Sequence, residues 1–153
     1  MTQRPERRSA GEPDSAVELL FRARRVLTGA AEETDPGDQL VRAHLGALRA
    51  ASAMVALRSS PLGRARSRSI ARGAPRDVWS QLAECAPELH GWAEFFARQA
   101  GRRAQVEAGI GQTPDVDESY RLLLQAEVFV DAVAVLMGVP LSAEREYPTA
   151  HAG

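Results

Sequence analysis

The chain has 153 residues, 44% hydrophobic but only 5% aromatic, and its 19 basic residues are all arginine against 20 acids, for a formal net charge of -1. That length suits one domain with a real core, on the order of two-thirds of the unfolded surface being buried, and the near-neutral charge excludes attraction of the whole surface to nucleic acid. Cys85 is the single cysteine, which excludes an internal disulfide and a cysteine-based metal centre.

Residues 1–14 are rich in Arg, Glu and Pro and read as a disordered tail, neither a signal peptide nor a membrane span. The first helix is expected from Ser15, where Ser15 and Glu18 have the spacing of a capping box. Val17, Leu20, Phe21, Arg24 and Leu27 follow at helical spacing, and Gly29 suits the stop. A second helix is expected over Asp38 to Leu57, with Val41, His44, Leu45, Leu48, Ala51 and Val55 on one stripe.

Next comes a connection containing Arg58, Arg64, Arg66, Arg68, Arg72 and Arg76 and no acid, long enough to be either functional or disordered. A short third helix after Pro75 places Val78, Leu82 and Cys85 on one face, and Ala86-Pro87 breaks it. The fourth helix, Pro87 to Ala108, buries Leu89, Trp92, Phe96 and Ala100 and carries His90, Glu94, Arg98 and Arg102 outward at steps of four. The fifth begins at Thr113-Pro114-Asp115 and runs to Met137, where Gly138 and Pro140 end it. Its apolar band is wide enough for a helix packed on more than one side, either central in the bundle or facing a second subunit. Residues 139–153 read as a loose tail. The longest apolar run, Val128 to Leu136, is interrupted by Asp131 and is too short to span a bilayer. The expectation is a cytoplasmic, all-α antiparallel bundle of four or five helices over residues 15–138, with no membrane association.

Candidate chemistry concentrates on arginine and histidine. Guanidinium forks match phosphate geometry, so Arg58, Arg64, Arg66, Arg68, Arg72 and Arg76 are candidate anion or nucleic-acid ligands. The bland reading is a solvated linker, and the absence of Phe, Tyr or Trp in the segment removes the stacking platforms usual in single-strand binders. His44 with Arg42 or Arg49 has the chemistry of metal-free RNA cleavage, the imidazole as base and the guanidinium on the phosphorane. The alternative is a core histidine held by a carbonyl. His90 reads as a surface histidine, Cys85 as a small core residue, and Trp79 and Trp92 as core anchors. Asp115, Asp117 and Glu118 read as acids favoured at a helix start. No pattern calls for a metal or a cofactor.

The stretch Arg76-Asp-Val-Trp-Ser-Gln-Leu82, with Ala86-Pro-Glu-Leu-His-Gly-Trp-Ala-Glu-Phe-Phe-Ala97 and Arg42-Ala-His-Leu-Gly-Ala-Leu-Arg-Ala-Ala51, resembles the small actinobacterial SAV-type HEPN family over roughly Ser15 to Gly138. The resemblance implies an HEPN-like helical bundle that often dimerises and binds nucleotide or RNA, in some relatives as a toxin–antitoxin or defence ribonuclease. The ribonuclease signature of that superfamily is an arginine followed, after four to six residues, by a histidine. No arginine stands at that spacing before His44 or His90. Arg145 and His151 fit the count but lie in the Pro-containing tail, and Glu146 replaces the small polar residue usual after the arginine. The expectation is therefore a non-catalytic member binding a nucleotide, RNA or a protein partner; the alternatives are a metal-free ribonuclease and a purely structural homodimerisation bundle.

Overall fold

The computed structural model describes residues 12–59 and 77–140, of which 85% are helical, with no strand among them. Helix α1 is Glu12–Glu32, α2 is Pro36–Arg58, α3 is Val78–Cys85, α4 is His90–Ala108 and α5 is Val116–Met137; a single 3-10 turn, Pro87–Leu89, leads into α4.

Local chemistry sets these boundaries. The carboxylate of Asp35 accepts from the amide of Asp38 at 2.9 Å, and Pro36 occupies the first turn, where no amide partner is required. Asp77 caps α3 through the Ser80 amide, and Asp115 caps α5 through the Glu118 amide at 2.8 Å. Gly109 and Gly138 close α4 and α5 in left-handed conformation, at φ 67° and 71°.

Four boundaries differ from the sequence reading. Helix α1 begins at Glu12 rather than Ser15, because Pro13 is tolerated in a first turn. It also runs through Gly29 to Glu32. Gly29 gives room instead of stopping the helix: a Cβ there would stand 3.0 Å from Nη1 of Arg42. The cap of α5 is Asp115, not Thr113, and the cap of α2 lies at Asp35, ahead of the expected start.

Helix α2 is the centre of the bundle, packing against α1, α3, α4 and α5. Its buried residues are Leu40, Ala43, His44, Gly46, Ala47, Ala50, Ala51, Ala53 and Met54. Small side chains bring α1 close: a Cβ on Gly46 would lie 2.4 Å from Cδ2 of Leu27. Leu20, Ala23, Leu27 and Ala30 form the matching face of α1. α1 is antiparallel to α2, as is α4, whereas α2 and α5 run the same way. Their N-terminal turns are joined by Ser119 Oγ donating to Gln39 Oε1 at 2.7 Å. Gln39 Nε2 donates in turn to the Ala30 carbonyl, tying in the end of α1.

The wide apolar band on α5 is thus split. Leu122, Leu123, Ala126, Phe129, Val130, Val133 and Ala134 are buried against the bundle. Tyr120, Leu124, Val128 and Val135 are exposed. The helix that packs against all four others is the alanine-rich α2. At 23 residues it is also long and apolar enough to cross a membrane by length and composition, although half of that window is buried inside the bundle.

Candidate functional site: a core histidine and its arginine

His44 lies at the junction of α2, α3 and α4 with no solvent exposure. Trp79 of α3 and Phe96 of α4 meet its ring edge-on, with centroids 5.8 and 6.1 Å away. Trp79 and Phe96 stack on each other at 5.2 Å, and Phe129 of α5 closes the cluster at 5.1 Å from Phe96. Such contacts are worth roughly 0.5–1.5 kcal/mol each beyond their buried area.

The histidine's two nitrogens are both occupied. Nε2 lies 3.0 Å from the Phe96 carbonyl oxygen, an acceptor, so Nε2 carries the proton and donates. Nδ1 lies 3.2 Å from Nη1 of Arg103, a donor, so Nδ1 accepts. These partners fix the neutral tautomer. Burial pushes the His44 pKa below its ordinary 6.5 and Arg103 adds to the lowering, against a raising effect of the Phe96 carbonyl. Arg103 is itself held by Glu107, one turn on, with Nε and Oε1 3.7 Å apart.

A base for RNA cleavage must reach the 2′-hydroxyl of a substrate; His44 faces a carbonyl and a guanidinium inside the core. Arg42 and Arg49 do not converge with it. Helical geometry puts them about 160° and 140° around α2 from His44. Arg42 Nε pairs with Glu33 across the α1–α2 turn at 3.0 Å. Arg49 is half-buried, and its Nε has no hydrogen-bond acceptor among the described residues. Arg103, the guanidinium that does meet His44, was not among the sequence candidates. Its separation of 59 residues from His44 leaves no local signal.

Of the arginine segment, Arg58 is described. Its guanidinium donates to the Glu88 carboxylate and, at 3.3 Å, to the Cys85 carbonyl. It therefore ties the end of α2 to the end of α3. Arg64, Arg66, Arg68, Arg72 and Arg76 lie outside the described residues, as do Arg145 and His151.

The remaining candidates take structural places. His90 is exposed, 3.5 Å from Glu94. The Cys85 thiol is half-buried with its pKa raised by burial, and its Sγ lies 3.8 Å from the Leu82 carbonyl. Trp79 is buried, as expected of an anchor. Glu118 receives two hydrogen bonds from Arg102, at 2.7 and 3.1 Å, and Arg102 also donates to the Gln112 carbonyl. Among the described residues no group of three or more His, Cys, Asp or Glu could hold a metal ion.

Comparison with known proteins returns no match among curated proteins and none among solved structures. A protein-family profile described as SAV_6107-like HEPN matches residues 30–134, which take in the end of α1, all of α2, α3 and α4, and nearly all of α5. The Trp79, Trp92 and Phe96 positions that carried the sequence resemblance all fall inside that span, in the aromatic centre of the bundle. The chain belongs to the SAV_6107-like HEPN family.

Proposed function

We propose that this HEPN bundle is a non-catalytic RNA-binding protein of the cytoplasm whose contact with phosphate is made by the arginine-rich connection between α2 and α3. The observation that carries the non-catalytic half is the occupation of both His44 nitrogens inside the core. The binding half rests on charge distribution. Four arginines of the bundle are engaged by acids: Arg42 by Glu33, Arg58 by Glu88, Arg102 by Glu118 and Arg103 by Glu107. Residues 60–76 hold five arginines and no acid with which to pair locally.

The test is binding of a short unstructured RNA at two salt concentrations in the presence of EDTA. Binding is expected at low salt, weakening steeply as salt rises, with the RNA left intact. Absence of binding at low salt sinks the RNA reading. Cleavage that is lost in His44→Ala or His151→Ala would replace it with the ribonuclease reading.

A second reading, a homodimerisation bundle, is favoured by the exposed face of α5. Tyr120, Leu124, Val128 and Val135 stand on one side of that helix, Val135 being 78% exposed. Under this reading the protein sediments as a dimer at micromolar concentration and Val128→Asp shifts it to monomer. A wild-type monomer rules it out.

A further inference from the structure

A pocket of about 400 Å³ opens at the end of the bundle where the α1–α2 turn meets the α4–α5 connection. Val41, Val106 and Ile110 line it together with three carboxylates, Asp35, Asp38 and Glu107. The three acids differ in availability. Asp35 caps α2 through the Asp38 amide, and Glu107 pairs with Arg103 at 3.7 Å. The Asp38 carboxylate is exposed and has neither an ion pair nor a hydrogen bond among the described residues. Val106 and Glu107 stand three and four residues beyond Arg103, on the same face of α4. The pocket therefore begins beside the Arg103 guanidinium.

Arg103 is lightly held where it stands. Among the described residues it makes one hydrogen bond, from Nη1 to Nδ1 of His44, beside the loose pair with Glu107, and its buried Nε has no acceptor. That one hydrogen bond exists only while His44 is neutral. In the imidazolium both ring nitrogens are donors, so Nδ1–H would face Nη1–H. The ring itself is fixed: the Phe96 carbonyl accepts from Nε2 in either state, and Trp79 and Phe96 hold its edges. The charges acting on His44 among the described residues are Arg103 and Glu107, both of α4; α1, α3 and α5 contribute none. A proton on His44 thus sets two cations together in the core, and the partner able to leave is the Arg103 side chain.

We propose that His44, Arg103 and the acid-lined pocket form a proton-operated latch, in which protonation of His44 moves the Arg103 guanidinium out of the core and into the pocket, between Glu107 and Asp38. The move replaces a donor facing a donor with a cation facing two carboxylates, and it gives the Nε of Arg103 acceptors it now lacks. It also frees the α2–α4 contact at its most polar point while the aromatic cluster stays packed. The latch uses none of the arginines of residues 58–76, so it and the RNA reading above can fail separately.

The experiment is a pH titration of the full chain from 7.5 to 4.5, followed by NMR of the His44 imidazole and of the Arg103 Nε–H. The Arg103 signal is expected to shift reversibly with the same midpoint as His44 and to lose its protection from exchange with water. In His44→Gln it is expected to hold its neutral-pH position through that midpoint. Asp38→Asn tests the destination, because Asp38 is not among the charges that act on His44 with Arg103 in place. It is expected to move the His44 midpoint down by about half a pH unit, the scale of one exposed ion pair, and to have no such effect in an Arg103→Met background. An Arg103 signal that stays put while His44 titrates overturns the proposal, as does one that moves equally in His44→Gln. Unfolding in step with His44 protonation overturns it too. So does an Asp38→Asn effect that is absent, or that persists without the Arg103 side chain.

Discussion

His44 shows how one residue changes meaning with its surroundings. In sequence it stands between two arginines on a helix, as a general base and its electrostatic partner would. In the structure the relevant arginine is Arg103, and it donates to the nitrogen a base would need to keep free. The same geometry makes a pH prediction. With its folded pKa depressed, mainly by burial, His44 binds its proton more readily in the unfolded chain. Its contribution to stability is therefore complete above the unfolded value, about 6.5, and is lost as pH falls from there through the lower folded value. Protonation would also set a cation against Arg103, with Glu107 the nearest compensating charge. Thermal melts from pH 7.5 to 4.5 are expected to fall more steeply for wild type than for His44→Gln. Glutamine keeps a donor for Phe96 and an acceptor for Arg103 but cannot titrate. Parallel profiles would show that His44 carries no such linkage. The fate of the histidine was half legible: a core histidine satisfied by a carbonyl was one of two sequence readings, and Arg103 was not in view.

At the scale of the element, small residues set the architecture. The sequence pattern draws attention to α5, because Val, Leu and Phe stand out in any hydropathy reading. Helix α2 is more completely buried, yet its face is built of Ala43, Gly46, Ala47, Ala50, Ala51 and Ala53, which carry little hydrophobic signal each. Its centrality comes from close approach, which periodicity does not report. Gly46 tests this directly. Gly46→Ala would drive a methyl into Leu27, an overpacking expected to cost about 1–3 kcal/mol. Gly101→Ala, in α4, meets nothing within 4 Å and is expected to stabilise by about 1 kcal/mol through helix propensity alone. Urea denaturation of the two variants checks both; equal midpoints would remove the argument that α1 and α2 depend on a small residue at position 46. The close of α5, by contrast, was readable because Gly138 acts within one turn of itself, whereas its cap was expected at Thr113 and lies at Asp115. The His44–Arg103 contact was not readable, since the two residues meet only once α4 has packed on α2.

For the whole molecule, the formal charge of -1 conceals a division. Five of the 19 basic residues and none of the 20 acids lie in residues 60–76, so the rest of the chain carries a formal -6. On net charge alone, the rest of the chain repels a polyanion and the segment attracts one. The RNA experiment therefore has a quantitative form. With at most five phosphates neutralised, the slope of log K against log salt is expected to be no steeper than about -3.5, at about 0.7 per single-strand contact. A steeper slope means that arginines of the bundle join in. The family and fold were legible from Trp79, Trp92 and Phe96, because aromatic anchors in an alanine-rich chain are few and recognisable. The ligand was not, since a charge run with no acid looks the same whether it binds phosphate or only water.

The bridge from Arg58 to Glu88 and the Cys85 carbonyl has a consequence for covalent continuity. It brings the close of α2 against the close of α3, so residues 59–77 join two parts of the molecule already fastened to each other. The described contacts between the two halves run mainly through α2, against α3, α4 and α5, and α1 also meets α5. A single proteolytic cut between 59 and 77 would leave those contacts in place, and the protein would persist as a two-chain complex of its own halves.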